Sequence, residues 1–470
     1  MADNELEKKA HSFGIDEIVD PDADIGIETL VADAMADNDP DCVMRLVDDL
    51  HYADVADLLE RLSREERGQF IDVVRDQFDP EVLAELDETV RDEVVAHLGV
   101  REVASALSEL DSDDAVEVLE EMDEAQQRAV LDHIPDEERT LIEESLSYPE
   151  DSAGRLMQRE IVTVPSHWNI GQCIDFVRRL AEEGEGKLPS VFYDIFAIDA
   201  RHHPVGSIAL SKLMSTRRQV PVTEVMDEDM QEIYVNTDQE DVAFMFRQRD
   251  LVSAPVVDGD GRLVGAITVD DVVDVIHEEH EEDIMRMGGV TEDDLYSAAI
   301  STTRARFSWL SVNLLTAILA SVVIGLFDAT IEQIVVLAVL MPIVASMGGN
   351  AGTQTLTVTV RALATKELTR ANAYRIVTKE VIVGMFNGVI FAVLTGAVAW
   401  VWFQSPELGG VIAVAMVINM IVAGFCGAVI PIALEKFGAD PAIASSVFLT
   451  TMTDVVGFFA FLSLAALVLL

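Results

Sequence analysis

Five stretches near the C-terminus, at 307–327, 334–360, 381–403, 410–434 and 442–470, are almost wholly apolar and each is long enough to cross a bilayer. They set the solvent for the last third of the chain. The final stretch, DPAIASSVFLTTMTDVVGFFAFLSLAALVLL, encloses a carboxylate, Asp454, among apolar residues. At ~1.5 Å of rise per residue, Asp454 falls about 20 Å along a helix begun at Pro441, near mid-membrane. A charge at that depth costs ~2.5–3.5 kcal/mol. No cation in the stretch offsets it; Ser445, Ser446, Thr450, Thr451 and Thr453 offer hydroxyls instead. A carboxylate above a ladder of hydroxyls reads as the wall of a water-filled cation path. The competing reading is an Asp that caps or hydrogen-bonds a neighbouring helix and binds nothing.

Charge divides the chain in the same place. The 470 residues carry a formal charge of −52, yet residues 301–470 hold eight acids and eight bases, so the excess lies wholly in residues 1–300. Lysine is scarce, 7 against 25 arginines, beside 84 acids. An acidic, lysine-poor surface suits a protein that faces concentrated salt, which points to a halophilic source. Most of the carboxylates then solvate the surface, and some are free to bind divalent cations. A nucleic acid would be repelled and is not an expected partner. Cys42, Cys173 and Cys426 lie far apart with no metal-ligand spacing, and the N-terminus holds no apolar run of a signal peptide. The acidic part is therefore expected in the cytoplasm.

Along the chain, residues 1–24 are polar and aperiodic, a disordered tail. From 25 to 146 the apolar residues recur at helical spacing, as in ADVADLLERLSREERGQFIDVV and EVASALSELDSDDAVEVLEEM, and polar breaks supply N-caps. This reads as a small α-helical superhelix. Strand-like and helical runs then alternate twice, over 147–216 and 217–280, with a hairpin turn at Asp258-Gly259-Asp260-Gly261. The duplicated βαββα unit resembles a CBS pair. Such units hold ribose with a Ser or Thr and an Asp three residues on; the second copy has Thr268 and Asp271, the first Ala209 and Lys212. Residues 281–304 are the expected connecting helix, and 305–470 the five-helix membrane domain. Glu278, Glu279, Glu281, Glu282 and Asp283 crowd one or two turns of this junction, where a hydrated divalent cation would relieve their repulsion.

In the second apolar stretch, Pro342, Gly348, Gly349 and Gly352 predict a weakened helix with Asn350 and Gln354 in the break, a pattern that suits a wet cavity. Close packing through small residues explains the glycines equally well. Five bases, Arg361, Lys366, Arg370, Arg375 and Lys379, fill one connection, and Arg304 and Arg306 precede the first stretch. The positive-inside bias puts the N-terminus inside and the C-terminus outside.

Taken together, YPEDSAGRLM, GGNAGTQ with RALATKEL, and DPAIASS with TTMTD resemble the MgtE family of magnesium channels and transporters, from about Ile25 to the C-terminus. The resemblance implies a homodimer in the cell membrane, with a helical N domain, a CBS pair, a plug helix and five spans per chain. Its pore is lined by the second and fifth spans, and its pore carboxylate falls on Asp454. Gly348, Gly349, Asn350, Gln354, Ser446 and Thr450 are then pore-lining candidates. Val447 stands where relatives often have Pro. Cytoplasmic Mg²⁺ sensing is implied at Asp113, Asp114 and Glu117, at Asp238, Glu240, Asp250, Asp271 and Asp274, and at Glu279, Glu282 and Asp283. Bound ions would hold the plug against the pore. Mg²⁺ is thus both substrate and regulatory ligand; Co²⁺ and other divalents, and ATP at the CBS pair, stay open. Two other readings stand beside this one. One is a secondary transporter with Asp454 as its proton-coupling group, and the other a nucleotide-sensing CBS membrane protein. With no nucleophile–base pair and no phosphate loop in the sequence, an enzyme is not expected.

Overall fold

The computed structural model describes residues 26–183, 188–189, 191–290, 299–369 and 371–470. The tail expected over 1–24 and residues 291–298 of the expected connecting helix lie outside the described residues, as does the side chain of Ser445. The chain divides into two compact units, with the boundary between His277 and Glu278.

The first unit begins with short stacked helices: α1 (Ile27–Ala36), α2 (Pro40–Val47), α3 (Tyr52–Arg61), α4 (Arg64–Val74), α5 (Val82–Glu85), α6 (Glu88–Leu98), α7 (Val100–Leu107), α8 (Ser112–Glu120), α9 (Glu124–Leu131) and α10 (Asp136–Ser145). The polar breaks act as caps. Ser63 and Glu66 form a reciprocal capping box at the start of α4, and Asp123 accepts from the amides of Ala125 and Gln126 at the start of α9. Leu58, Leu59, Phe70, Ile71, Leu83, Leu107 and Leu119 fill the core between the layers. Two buried arginines tie successive layers. Arg67 donates to the Leu59 and Leu62 carbonyls and pairs with Glu93; Arg91 donates to the Ala84 and Leu86 carbonyls and pairs with Glu117 and Glu121. Each guanidinium thus satisfies the open carbonyl end of the preceding helix.

The YPEDSAGRLM segment leads out of the helical layer through the short helix α11 (Ala153–Leu156). The Tyr148 ring lies over Gly154 so closely that a Cβ there would be 2.5 Å from it. The amides of Ala153 and Gly154 donate to the carbonyls of Thr237 and Val235, and Arg155 pairs with Glu120 at 3.0 Å. This glycine-dependent joint ties the helical layer to the strand-forming region.

That region holds two three-stranded sheets, one from β1 (Thr163–Pro165), β2 (Asp194–Ile198) and β3 (Pro204–Ala209), the other from β4 (Ile233–Tyr234), β5 (Ser253–Val257) and β6 (Leu263–Thr268). In each, the first two strands are parallel and the last two antiparallel, with a register shift at Ala197/Ile198 and again at Val256/Val257. The crossover helices are α12 (Ile170–Glu183) and α14 (Gln239–Arg249), and α13 (Leu210–Ser215) comes after the first sheet. The matching order and matching irregularity make this an internal duplication.

A single helix, α15, runs Val269–Gly288. The acid-dense run Glu278–Asp283 is therefore helical, despite its like charges.

The second unit holds α16 (Ala299–Gly325), a short helix α17 (Asp328–Gln333), α18 (Val336–Ala364), α19 (Ala373–Phe403), α20 (Pro406–Lys436) and α21 (Pro441–Leu469). Five of these helices are long and apolar enough to cross a membrane. Close approach is made by small residues: a Cβ on Gly424 would meet the Glu380 carbonyl at 2.6 Å, and one on Gly384 the Met420 carbonyl at 2.5 Å. The expected break in the second span is corrected, since α18 is one helix through Pro342, Gly348, Gly349 and Gly352. Neighbouring helices supply the packing that its own sequence lacks.

Candidate functional site

On α21, Asp454 is only half-buried, and among the described residues no cation pairs with it. The hydroxyls before it are committed as donors to their own helix. Thr450 Oγ1 donates to the Ser446 carbonyl at 3.0 Å, Thr451 Oγ1 to Val447 at 2.6 Å, and Thr453 Oγ1 to Thr450 at 3.0 Å. Thr450 and Thr451 are partly exposed and keep lone pairs for water, whereas Thr453 is fully buried. The wall therefore offers anionic and acceptor oxygens to a cation.

The pore-lining candidates on α18 fall on two faces. Asn350 and Gln354 are exposed in the single chain, as are Ser346, Thr353 and Thr357, a polar stripe at helical spacing. Asn350 Nδ2 donates to Ser346 Oγ at 3.3 Å. Nothing lies within 4 Å of a Cβ built on Gly349, whereas Gly348 is buried and a Cβ there would meet the Asn419 amide at 2.2 Å. Gly348 is a packing position. This corrects its expected role in the wall.

Two polar residues of this unit escaped the sequence reading. Glu380 is 7 % exposed, accepts from Thr355 Oγ1 at 3.3 Å and lies 3.3 Å from the Lys379 ammonium. The expected third span begins at 381 and so leaves Glu380 outside, whereas α19 starts at Ala373. Asn419 is fully buried in α20 and donates to the Val344 carbonyl at 2.8 Å. Its only signal is a lone amide in an apolar run.

The sensing candidates separate into three groups, two in the first unit and one in the second. Asp113 and Asp114 lie in the first turn of α8 and Asp271 in the first turn of α15, with Asp274 about one turn further on. Burial pushes Asp113 well above the usual carboxylate range, with Asp271 and Asp114 adding to it. Asp114 is raised to about 8 by burial, then by Glu81, Glu117 and Asp271. Asp271 is raised to about 6 by burial, against two bonds from Thr268, at 2.9 Å from Oγ1 and 3.1 Å from the amide. Glu81 and Glu85, which the sequence reading passed over, join the same seam; burial raises both, followed by Asp111 for Glu81 and Asp274 for Glu85. Polar stitches hold the seam's edge: Gln158 Nε2 to Asp111 at 2.8 Å, and Ser112 Oγ to Glu160 at 2.7 Å. Glu117 is bound to Arg91 at 3.1 Å.

Asp238 and Asp250 sit at opposite ends of α14, Asp238 as N-cap, bonded to the Glu240 amide at 3.0 Å, and Asp250 at the C-cap in the left-handed region. Both are exposed, as is Glu240. The helix holds the two Asp residues apart. The third group belongs to the second unit. Glu282 pairs with Arg286, and Arg286 Nη1 lies 2.7 Å from Asp440, the N-cap of α21. Burial raises Asp283, and Asp440 adds to the shift. Glu279 lies on the same helix, partly buried. Among the described residues, no three His, Cys, Asp or Glu side chains converge in a geometry that chelates a bare metal ion.

Comparison with known proteins matches three family models: "MgtE intracellular N domain" over residues 50–151, "CBS domain" over 222–278 and "Divalent cation transporter" over 341–464. A magnesium transporter MgtE of Thermus thermophilus is 32% identical over 456 residues, which cover 93% of this chain and 97% of that protein. The Bacillus subtilis magnesium transporter MgtE is 28% identical, over 89% of this chain and 92% of that protein. Among solved structures, the cytosolic domain of the Mg²⁺ channel MgtE in complex with ATP is 29% identical, covering 52% of this chain and 98% of that chain at a TM-score of 0.48. With its helical N domain, CBS unit and membrane helices all matched, the chain belongs to the MgtE family of magnesium transporters.

Proposed function

We propose that two copies of this chain form a Mg²⁺ channel whose path runs between them along α18 and α21, with paired Asp454 residues meeting the ion. The observation that carries this is the stripe Ser346, Asn350, Thr353, Gln354 and Thr357, exposed in one chain on a helix that spans the membrane. Polar side chains facing lipid are costly, so a second copy and a column of water are the surroundings that suit them. Mg²⁺ keeps most of its waters and needs only one or two direct carboxylates. A pair of aspartates beside acceptor hydroxyls holds such an ion without stripping it.

Gating arises from the acidic seam. Asp113, Asp114, Asp271, Asp274, Glu81 and Glu85 repel one another when ionised, and a hydrated dication among them removes that repulsion. The absence of a preformed chelate among the described residues fits an ion held through water. When cytoplasmic Mg²⁺ fills the seam, the acidic faces close and α15 stays in its closed position. In the second unit the link from α15 to the conduction helix is the Arg286–Asp440 pair at the start of α21. With the base-rich connection 361–379 on the inner side, the N-terminal unit faces the cytoplasm and the C-terminus lies outside.

The experiment is Mg²⁺ flux into proteoliposomes at low and high Mg²⁺ on the cytoplasmic face. High Mg²⁺ on that face should close the wild type. Asp114→Asn with Asp271→Asn should stay open at concentrations that close it. Flux that is indifferent to internal Mg²⁺ would remove the gating reading. Proton movement in fixed ratio to Mg²⁺ would favour a coupled transporter.

A further inference from the structure

Asn419 is the most deeply buried amide of the membrane unit, and the ion path as proposed does not use it. Its side chain lies where two helices would otherwise close on one another. A Cβ on Gly348 of α18 would sit 2.2 Å from Asn419 Nδ2, and a Cβ on Gly457 of α21 would sit 2.8 Å from the same atom. Gly348 stands two residues before Asn350, and Gly457 lies three residues, about one helical turn, past Asp454. One side chain thus touches the backbones of both proposed pore helices beside their functional residues. Nδ2 donates to the Val344 carbonyl at 2.8 Å, which fixes the amide against α18. Oδ1 is buried with no hydrogen-bond partner among the described residues.

Packing alone does not explain an amide here. Leu has the same branched skeleton, makes no demand for partners, and would leave no polar atom buried without a bond in this apolar surrounding. A buried amide oxygen without a bond calls for an explanation of its own. We propose that Asn419 is a positioning residue for ion passage: a polar spacer, bonded to α18, that sets the distance between α18 and α21 at the level of Asp454 and so sets discrimination between Mg²⁺ and the larger Ca²⁺. Small changes of spacing matter because Mg²⁺ tolerates little departure from its octahedral shell, whereas Ca²⁺ accepts looser geometries. The inference rests on Asp454 meeting the ion.

The test uses full-length protein in proteoliposomes, with Mg²⁺ and Ca²⁺ flux measured separately and thermal unfolding measured in detergent. Asn419→Leu keeps the branched skeleton, with larger methyl ends, and removes the bond; the expected result is a Mg²⁺-to-Ca²⁺ flux ratio at least about fivefold lower than wild type in protein that still unfolds cooperatively. A purely structural Asn419 would lower both fluxes together and leave the ratio alone, which overturns the proposal. Should Asn419→Leu fail to fold, Gly348→Ala is compared with Gly348→Ala plus Asn419→Ala. The added methyl collides with the amide in the single variant and fills its space in the double. A Mg²⁺-to-Ca²⁺ flux ratio that differs at least about fivefold between the single and the double supports the spacer, and equal ratios in the two overturn it. Asp454→Asn run in parallel separates the two readings. If it retains wild-type flux, the ion path itself is wrong. If it abolishes flux while Asn419→Leu keeps the wild-type ratio, only the spacer is wrong.

Discussion

The acids of the soluble unit and the lone acid of the last span face opposite problems. Asp113, Asp114 and Asp271 lie among other carboxylates, which together with burial raise all three. Asp454 has apolar neighbours and hydroxyls, and among the described residues no charged partner. For the first group, the difficulty is like charge, and a cation removes it by binding and staying. For Asp454 the difficulty is lack of solvent, and a hydrated cation relieves it by bringing water. The same functional group therefore suits a resident ion in one region and a passing ion in the other. On the proposed reading, crowding suits a sensor and isolation suits a conductor.

The largest expected effect is at the isolated acid. Asp454→Asn should lower Mg²⁺ flux by about a hundredfold or more, while Mg²⁺ still protects the soluble unit from protease; losing both together would break the comparison. Next is the scaffold behind the seam. Arg91 is 5 % exposed and bound to two carbonyls and two carboxylates. Arg91→Met leaves those acceptors unpaired and should cost about 3 kcal/mol, seen as a lower unfolding temperature of the soluble unit with Asp454-dependent flux retained. A stability unchanged by this substitution would contradict the assigned role.

A third effect is on pH. In the folded state the seam carboxylates titrate above their unfolded values, to about 6 for Asp271 and about 8 for Asp114. Between roughly pH 4 and 8 the native state thus holds more protons than the unfolded one, and stability falls as pH rises. Without divalent ions, the unfolding temperature should drop as pH is raised from 6 to 8.5, and Mg²⁺ should restore most of it at the upper end. A rise with pH in the metal-free protein would contradict the crowded seam. The smallest effect is at the link. Arg286→Gln removes a partly exposed pair to Asp440, so stability should change by less than ~1 kcal/mol, while the internal Mg²⁺ needed for closure should shift measurably.

Much of the fold was legible because hydrophobic period reports burial directly. The stacked helices, the duplicated βαββα unit and the five spans all come from spacing. Two features resisted this. The Pro342–Gly352 stretch reads as a break, yet α18 is continuous, because a membrane helix with weak local preference is held by its neighbours. Asp238 and Asp250 both read as sensing candidates, but that they cap opposite ends of one helix, Asp250 in the αL region, shows only in three dimensions. Asn419 and Glu380 were missed for a related reason. Asn419 is a single polar residue in an apolar run, which gives no period, and Glu380 falls one residue before the expected third span; only the packed helices reveal what each touches.

The division between sensing acids and a conducting acid is tested most directly by Mg²⁺ flux in four proteins: wild type, Asp454→Asn, Asp114→Asn with Asp271→Asn, and all three substitutions together. The predicted result is no flux whenever Asp454 is changed, and flux that persists at high internal Mg²⁺ when only the seam is changed. Flux in the triple variant, or closure of the seam variant at wild-type Mg²⁺, would contradict it.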